Sequence, residues 1–264
     1  MHPQATVDRA RALSGRGLSD REVALIVGVP LRTVRKWRTG QRRAPGRANT
    51  KASCPRCADG VTLPEPCADY AYLLGLYLGD GHIVLAGDRS KTVWRLAVWC
   101  DDAWPGLIRE CARVIRAVRP DNRVSLTQKQ GCTEVSSYSR HWPCLFPQHG
   151  PGKKHLRRIE LADWQQVIVD RNPGEFARGL FHSDGYRGFN RVRRRWQDCD
   201  HWYEYPRYLF VNESRDILGL CGETLDRLGV EWRFSKPNTI SVAKRGRWHG
   251  WMSSWDRSTD RAGR

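Results

Sequence analysis

The chain has 264 residues and a formal net charge of +17, because 45 Lys and Arg stand against 28 Asp and Glu. Hydrophobic residues make up 40% of the chain, enough for a packed core, and a globular protein this basic usually binds a polyanion. No stretch approaches the roughly 18 apolar residues of a membrane-spanning helix, and the N-terminus lacks the apolar region of a signal peptide. These features predict a cytoplasmic protein, nucleoid-associated if bacterial, without a membrane partner.

The first predicted module, within residues 1–45, is a pair of helices joined by a tight turn, LSDREVALIVGVPLRTVRKWRTG (18–40). Ser19 or Asp20 begins the first helix, and Glu22 completes a capping box with Ser19. Gly28 suits the turn, and Pro30 suits the first turn of the second helix. The predicted packing residues are Val23, Ala24, Ile26, Val29, Val34 and Trp37.

The second helix of this pair leaves a polar, mostly basic face exposed. A recognition helix enters the DNA major groove with such residues. The sequence therefore predicts a helix-turn-helix that binds DNA, and the alternative is a helical hairpin with a solvated charged face. The predicted contacts are Arg32, Thr33, Arg35, Lys36 and Arg38.

A linker, residues 46–66, follows and contains the Cys-x-x-Cys spacing of a zinc knuckle, Cys54 and Cys57. Nine cysteines without an export signal indicate thiols or a metal site rather than a disulfide framework. Cys54 and Cys57 are thus candidate Zn²⁺ ligands. Cys67 and His82 are the nearest further candidates, and the alternative is an ordinary turn with reduced thiols.

The rest of the chain contains an internal duplication. LLGLYLGDG (73–81) aligns without gaps to ARGLFHSDG (177–185), and weaker matches follow each copy at similar spacing. Each copy is predicted to form a helix, two strands, a helix, two strands and a helix. The sequence thus predicts an α+β fold with two halves, 67–150 and 173–255, related by a pseudo-twofold axis. Residues 151–172 are predicted to link the halves, and residues 256–264 to form a frayed tail.

Small residues in each copy stand four apart and so share one helix face. They are Gly75 and Gly79 in the first copy, and Gly179 and Ser183 in the second. Such a face lets two helix backbones approach closely, although glycine lowers helix propensity by about 1 kcal/mol. We therefore expect the two helices to pack against each other along these four residues.

Asp80 and Asp184 then fall at equivalent helix C-termini. The helix dipole is already negative there, and two neighbouring carboxylates repel each other further. A divalent cation would resolve the conflict, and Mg²⁺ binds through carboxylates, phosphate oxygens and water. Paired carboxylates, a metal ion and a basic body are typical of a phosphodiester-cleaving centre.

The two nonapeptides resemble the signature of LAGLIDADG homing endonucleases in their single-chain, two-motif form, over roughly residues 67 to 255. The resemblance implies a monomer with two αββαββα halves, whose antiparallel sheets form a saddle over the major groove of double-stranded DNA. It also implies that Asp80 and Asp184 hold the divalent metals. Lys244 matches a supporting basic group by position, although its counterpart in the first half is Ser139. Arg140 and Arg245 correspond to each other.

Two further basic runs are predicted to contact DNA. The first lies in the bridge between the halves and comprises Lys153, Lys154, Arg157 and Arg158. The second, RVRRRW (191–196), is predicted to be a strand, so that Arg191, Arg193 and Arg195 share one face toward the groove. A solvated charge run is the alternative for the first.

Together these features predict a sequence-specific, metal-dependent DNA endonuclease. The alternative is a non-cleaving DNA-binding transcriptional regulator with the same fold. The two differ in one observation, which is DNA nicking that requires Mg²⁺, Asp80 and Asp184.

Overall fold

The structure is a computed structural model that describes residues 2–39, 56–57, 63–87, 92–196 and 199–243. The chain divides into two compact units, Met1–Ala52 and Ser53–Arg264. Within the described ranges no helix is long and apolar enough to cross a membrane.

The N-terminal unit contains three helices, α1 (Gln4–Gly15), α2 (Asp20–Val27) and α3 (Leu31–Arg38). Ser19 caps α2 through a capping box, in which the Ser19 N–H donates to Glu22 Oε2 at 2.8 Å. Gly28 ends α2 with a φ of +68°, a left-handed conformation that glycine adopts without strain. The buried core of this unit comprises Val7, Ala10, Val23, Val29, Val34 and Trp37.

Ile26 is outside this core, so the prediction that it packs inward is wrong. Its side chain is 45% exposed, and Val27 packs against the core instead. Val23, Ala24 and Val27 span about 100° around the helix axis, and Ile26 lies beyond the edge of that arc.

The second unit repeats one order of elements. The first half contains α4 (Cys67–Gly79), β1 (Gly81–Leu85), β2 (Trp94–Asp101), α5 (Pro105–Val118), β3 (Val124–Lys129), β4 (Cys132–Ser139) and a short α6 (Trp142–Leu145). After α7 (Asp163–Arg171), the second half contains α8 (Pro173–Asp184), β5 (Gly185–Trp196), β6 (Cys199–Val211), α9 (Arg215–Arg227), β7 (Trp232–Lys236) and β8 (Thr239–Ala243).

Each half forms a four-stranded antiparallel sheet, and the strand orders β1-β2-β4-β3 and β5-β6-β8-β7 are the same. The helices α5 and α9 occupy equivalent places, and each carries a fully buried cysteine, Cys111 and Cys221. The predicted α+β fold with two repeated antiparallel sheets is confirmed. The last predicted helix of the second half and the predicted tail lie outside the described residues.

The predicted linker 151–172 contains a helix, α7, that the sequence pattern does not predict. Ile168 and Val169 of α7 are buried in the same core as α4 and α8. The apolar pair therefore stabilises a packed helix between the halves. Only the first part of this segment, which includes a short 3₁₀ turn at Lys154–Leu156, is irregular.

The strands β5 and β6 continue as a two-stranded ribbon beyond the described part of their sheet. They pair continuously from Gly185 with Phe210 to Trp196 with Cys199, whereas the described part of β8 pairs with β6 between Arg207 and Val211. Apolar side chains on the ribbon and its base are exposed, including those of Phe189, Trp202 and Tyr203.

Candidate functional site

Helices α4 and α8 pack against each other at backbone distance. A Cβ atom built on Gly75 would lie 2.5 Å from the Phe176 carbonyl oxygen, and one on Gly179 would lie 2.2 Å from the Tyr72 carbonyl oxygen. Further along, a Cβ on Gly79 would lie 2.1 Å from Ser183 Oγ. The four small residues of the repeated nonapeptides are therefore brought together in one interface, and the two helices run in the same direction.

The parallel packing places Asp80 and Asp184 at the same end of the helix pair. Asp80 caps the C-terminus of α4 and is exposed, whereas Asp184 is the last residue of α8 and is half-buried. The two ends are close, since a Cβ on Gly79 would lie 2.8 Å from Asp184 Oδ2. Each carboxylate directly precedes the first strand of its sheet, so the pair lies where the two halves meet.

Asn212 orients the Asp184 carboxylate, a role that the sequence pattern does not predict. Its Nδ2 donates to Asp184 Oδ2 at 2.7 Å, and its Oδ1 accepts from the Ser214 N–H at 2.7 Å. Asn212 follows β6 at the turn into α9. An Asn two residues before a helix cap is a common turn signal, so the sequence alone does not separate this role from an ordinary turn.

A cleft of about 410 Å³ opens beside Asp184. Polar groups from both halves and from the bridge converge on it, with His82 on β1 and Glu213 next to Asn212. Burial lowers the pKa of His82, and the charge of Arg95 acts in the same direction. The polar lining residues are His82, Lys153, Lys154, His155, Asp184, Asn212 and Glu213.

Lys154, a predicted phosphate contact, is half-buried at the cleft rather than exposed on the surface. Its Nζ donates to the carbonyl oxygens of Tyr77, Gly79 and Gly81 at 2.6, 2.7 and 2.6 Å. The ammonium thus lies at the junction of α4 and β1, beside Asp184 and Asp80. Burial lowers the pKa of Lys154 to about 8, and the two carboxylates oppose that shift. At neutral pH the side chain remains charged.

The other residues of the basic bridge differ from one another. Lys153 is exposed at the cleft, and Arg158 is exposed and forms an ion pair with Glu160. Arg157 is half-buried and packs against Gly150, where a Cβ would lie 2.3 Å from its Nη1. Arg140 is exposed directly after β4. Lys153, Arg158 and Arg140 thus remain accessible to a ligand.

Each sheet has one face packed on helices and one open face. In the first sheet Leu96, Val98 and Val135 are buried on the helix side. Strand alternation directs the intervening side chains to the open face, where Trp99 and Tyr138 are partly exposed. The open faces include Val84, Arg95, Trp99 and Tyr138 in the first sheet, and Tyr186, Asn190, Tyr205 and Arg207 in the second.

The predicted strand for residues 191–196 is present, and Arg191, Arg193 and Arg195 do share one face of it. The ladder puts that face in register with Tyr208 and Phe210, which are buried on the helix side. The three arginines therefore continue the helix-packed face into the exposed ribbon rather than the open face of the sheet. Arg191 lies over the Trp202 ring at 4.5 Å, and Arg193 pairs with Asp200.

The predicted recognition residues lie on α3. Arg32, Arg35, Lys36 and Arg38 are exposed, and Thr33 is half-buried. Arg35 and Arg38 contact Asp20 at the start of α2 at 3.8 and 3.0 Å. These ion pairs orient two of the basic side chains along one edge of the exposed face.

Three candidate residues, Lys244, Arg245 and Cys54, lie outside the described residues. Cys57 is described, and its Sγ lies 3.4 Å from His141 Nδ1 and 3.1 Å from Cys144 Sγ. Cys67 and His82, the predicted further zinc ligands, lie elsewhere. Cys67 Sγ donates to the Pro64 carbonyl at 3.3 Å, and His82 lines the cleft beside Lys154.

No protein-family model and no curated protein sequence matches the chain. Several solved structures are similar. I-DmoI in complex with DNA and Ca is 17% identical with a TM-score of 0.45, over 67% of this chain and 82% of that one. Mesophilic variants of the homing endonuclease I-DmoI are 14% identical with a TM-score of 0.45, over 70% and 87%. The meganuclease I-SmaMI bound to uncleavable DNA is 10% identical with a TM-score of 0.42, over 74% and 84%.

These structures are of the class named by the sequence resemblance, single-chain homing endonucleases.

Proposed function

We propose that the chain is a sequence-specific endonuclease for double-stranded DNA that uses divalent metal ions, with Mg²⁺ as the physiological one. The observation that carries the proposal is the juxtaposition of Asp80 and Asp184. Two helices in backbone contact bring these like charges to one end of the α4–α8 pair, where each adjoins a sheet. The two carboxylates repel each other, Lys154 offsets part of that repulsion, and a divalent metal ion would offset the rest.

The donor chemistry of the site fits a hard divalent cation. Asp184 and Glu213 supply carboxylates that line the cleft, Asp80 supplies one at the adjoining end of α4, and Asn212 holds the Asp184 carboxylate in one orientation. Mg²⁺ prefers one or two carboxylates together with water and phosphate oxygens. When bound there, the metal would polarise the phosphodiester and activate water.

The open sheet faces are the proposed DNA-binding surface of the second unit. They carry arginine and aromatic side chains in alternation with small polar ones, and Arg95 on the first sheet is held by Glu134 at 3.0 Å. Arg207 on the second sheet has a buried Nε without a hydrogen-bond partner among the described residues. Lys153, Arg158 and Arg140 add exposed charge, and the basic face of α3 is the proposed second reader.

Lys154 supports a second candidate, a DNA-binding regulator that does not cleave. Its ammonium already lies beside both carboxylates and offsets part of their repulsion without a metal. A protein that has lost cleavage could retain the aspartates for this structural pairing. Metal-dependent cleavage separates the two candidates.

The test begins with selection of bound duplexes from a random DNA pool, followed by nicking assays on the selected site with Mg²⁺. Wild type should cut, and Asp80→Asn or Asp184→Asn should lose about 10²-fold or more in rate while binding persists, because the change removes electrostatic stabilisation of the reaction. The matched control is Asp121→Asn, an exposed carboxylate in the turn before β3. Tight binding by wild type without cutting in Mg²⁺ or Mn²⁺ would support the regulator instead.

A further inference from the structure

A sulfur and nitrogen cluster lies away from the paired aspartates. Cys57 Sγ, Cys144 Sγ and His141 Nδ1 are separated by 3.1, 3.4 and 3.9 Å, so each atom is near the other two. They form a set that could hold one metal ion. We propose that Cys57, His141 and Cys144 supply three of the four ligands of a zinc ion, independently of the divalent metal proposed for cleavage.

The spacing of these atoms fits tetrahedral zinc. With Zn–S near 2.3 Å and Zn–N near 2.0 Å, neighbouring ligand atoms of a tetrahedral site lie about 3.5–3.8 Å apart. The two sulfur–nitrogen separations, 3.4 and 3.9 Å, lie on either side of the lower value. The sulfur–sulfur separation of 3.1 Å is shorter than the upper value, so the two thiolates would move apart by about 0.7 Å when zinc binds. A disulfide between Cys57 and Cys144 would need its sulfurs at about 2.05 Å and would give the imidazole no part.

The local fold positions two of the ligands. His141 is the residue before α6 and Cys144 lies in its first turn, so the i, i+3 spacing directs both side chains to one face. The Cys144 N–H donates to the His141 carbonyl at 3.1 Å, and the His141 N–H donates to Ser139 Oγ at 3.1 Å. His141 is buried and Cys144 half-buried, so their positions are set by the core rather than by solvent.

The third ligand comes from a distant part of the chain. Cys57 is 84 residues before His141, and it is exposed in a short described segment. Its neighbour Arg56 lies over the Trp164 ring at 4.4 Å, which places the segment on the surface of α6 and α7. A zinc ion would fix this segment to the core, and metal closure of so long a loop stabilises the folded state. Cys54 lies outside the described residues and is not part of the proposal.

The test measures metal content and stability without DNA, so it is separable from the test of cleavage. The full chain is purified under reducing conditions after expression with added zinc, and zinc is quantified by mass spectrometry. We expect one zinc per chain in wild type and in Cys132→Ser, a half-buried thiol elsewhere, and also in Asp80→Asn. Cys57→Ser, Cys144→Ser and His141→Ala should each lose most of the metal.

Cobalt exchange gives a second readout that does not depend on the variants. Replacement of zinc by Co²⁺ should produce a thiolate-to-cobalt charge-transfer band and the visible absorption of a tetrahedral ion.

Chelation should lower the melting temperature of wild type and leave that of Cys144→Ser unchanged. Wild type that holds less than a tenth of an equivalent of zinc with free thiols, or that contains a Cys57–Cys144 disulfide, would overturn the proposal.

Discussion

Lys154 interacts with both the carbonyl oxygens and the carboxylates at the end of α4. The carbonyl oxygens at a helix C-terminus have no partners within the helix, and α4 ends in a carboxylate. An ammonium has three N–H donors, and Lys154 directs them to three carbonyl oxygens of the α4–β1 junction. The same charge lies beside Asp80 and Asp184. Lys154 therefore stabilises the junction and moderates the repulsion between the two aspartates.

We predict that Lys154→Met lowers the free energy of unfolding by about 1.5–3 kcal/mol, because the change leaves carbonyl acceptors unsatisfied in a partly buried place. Chemical denaturation measures the loss. Lys153→Met is the matched control, since that neighbouring side chain is exposed and should change stability by less than about 0.5 kcal/mol.

Mg²⁺ adds a second comparison for the same variant. Without the ammonium, the repulsion between the two carboxylates is larger, so a bound divalent cation should stabilise the folded state more. Mg²⁺ should therefore raise the melting temperature of Lys154→Met more than that of wild type. Equal stability of Lys153→Met and Lys154→Met would contradict the role assigned to Lys154.

At the residue scale the sequence could not distinguish Lys153 from Lys154. Both belong to one basic run, and the difference between them depends on carbonyl oxygens more than 70 residues earlier in the chain. The same limit applies to Cys57, whose partners His141 and Cys144 are 84 and 87 residues away. In contrast, Asp80 and Asp184 could be paired because each is the eighth residue of one of the two aligned nonapeptides.

At the scale of elements, the small-residue faces were predictable because they repeat at helical spacing in both copies. The face of the sheet on which the β5 arginines lie could not be predicted. The alternation of side chains along a strand shows which residues share a face but not which face that is. Only pairing with β6 shows that Arg191 shares a face with Tyr208 and Phe210. A one-residue difference in register exchanges the two faces of a strand, so the open-face residues of β5 became clear only from the sheet.

The α4–α8 contact makes a prediction about packing. Gly75→Leu or Gly179→Leu should lower the free energy of unfolding by more than about 3 kcal/mol, because a side chain would be forced against rigid backbone atoms. Thermal and chemical denaturation measure the effect.

Gly219→Leu is the control for this pair. Gly219 lies within α9, is exposed and has open space where a Cβ would be added, so leucine there should be neutral or stabilising by up to about 1 kcal/mol. If the Gly75 and Gly179 variants unfold like the Gly219 variant, the two helices are not in backbone contact.

At the scale of the whole molecule, the two units have separate cores. The N-terminal core contains residues from α1, α2 and α3 with the intervening Val29, and the larger core contains residues from Tyr70 onward. Both proposed metal sites lie in the larger unit. Each unit therefore has the apolar contacts that it needs to fold alone, and the basic face of α3 is expected to act as a tethered second reader of DNA.

Deletion of residues 1–52 should leave the larger unit folded, with a cooperative melt by circular dichroism. Affinity for the selected DNA should fall, because a linked module contributes through effective concentration. The slope of log affinity against log salt should also become shallower by about 0.9 for each DNA phosphate that the truncated chain no longer neutralises.

Full-length protein with Arg32, Lys36 and Arg38 changed to Ala should reproduce most of both changes, which separates loss of the reader from damage to the core. A truncated chain that cannot fold, or that binds with unchanged affinity and slope, would contradict the assignment of two independent units.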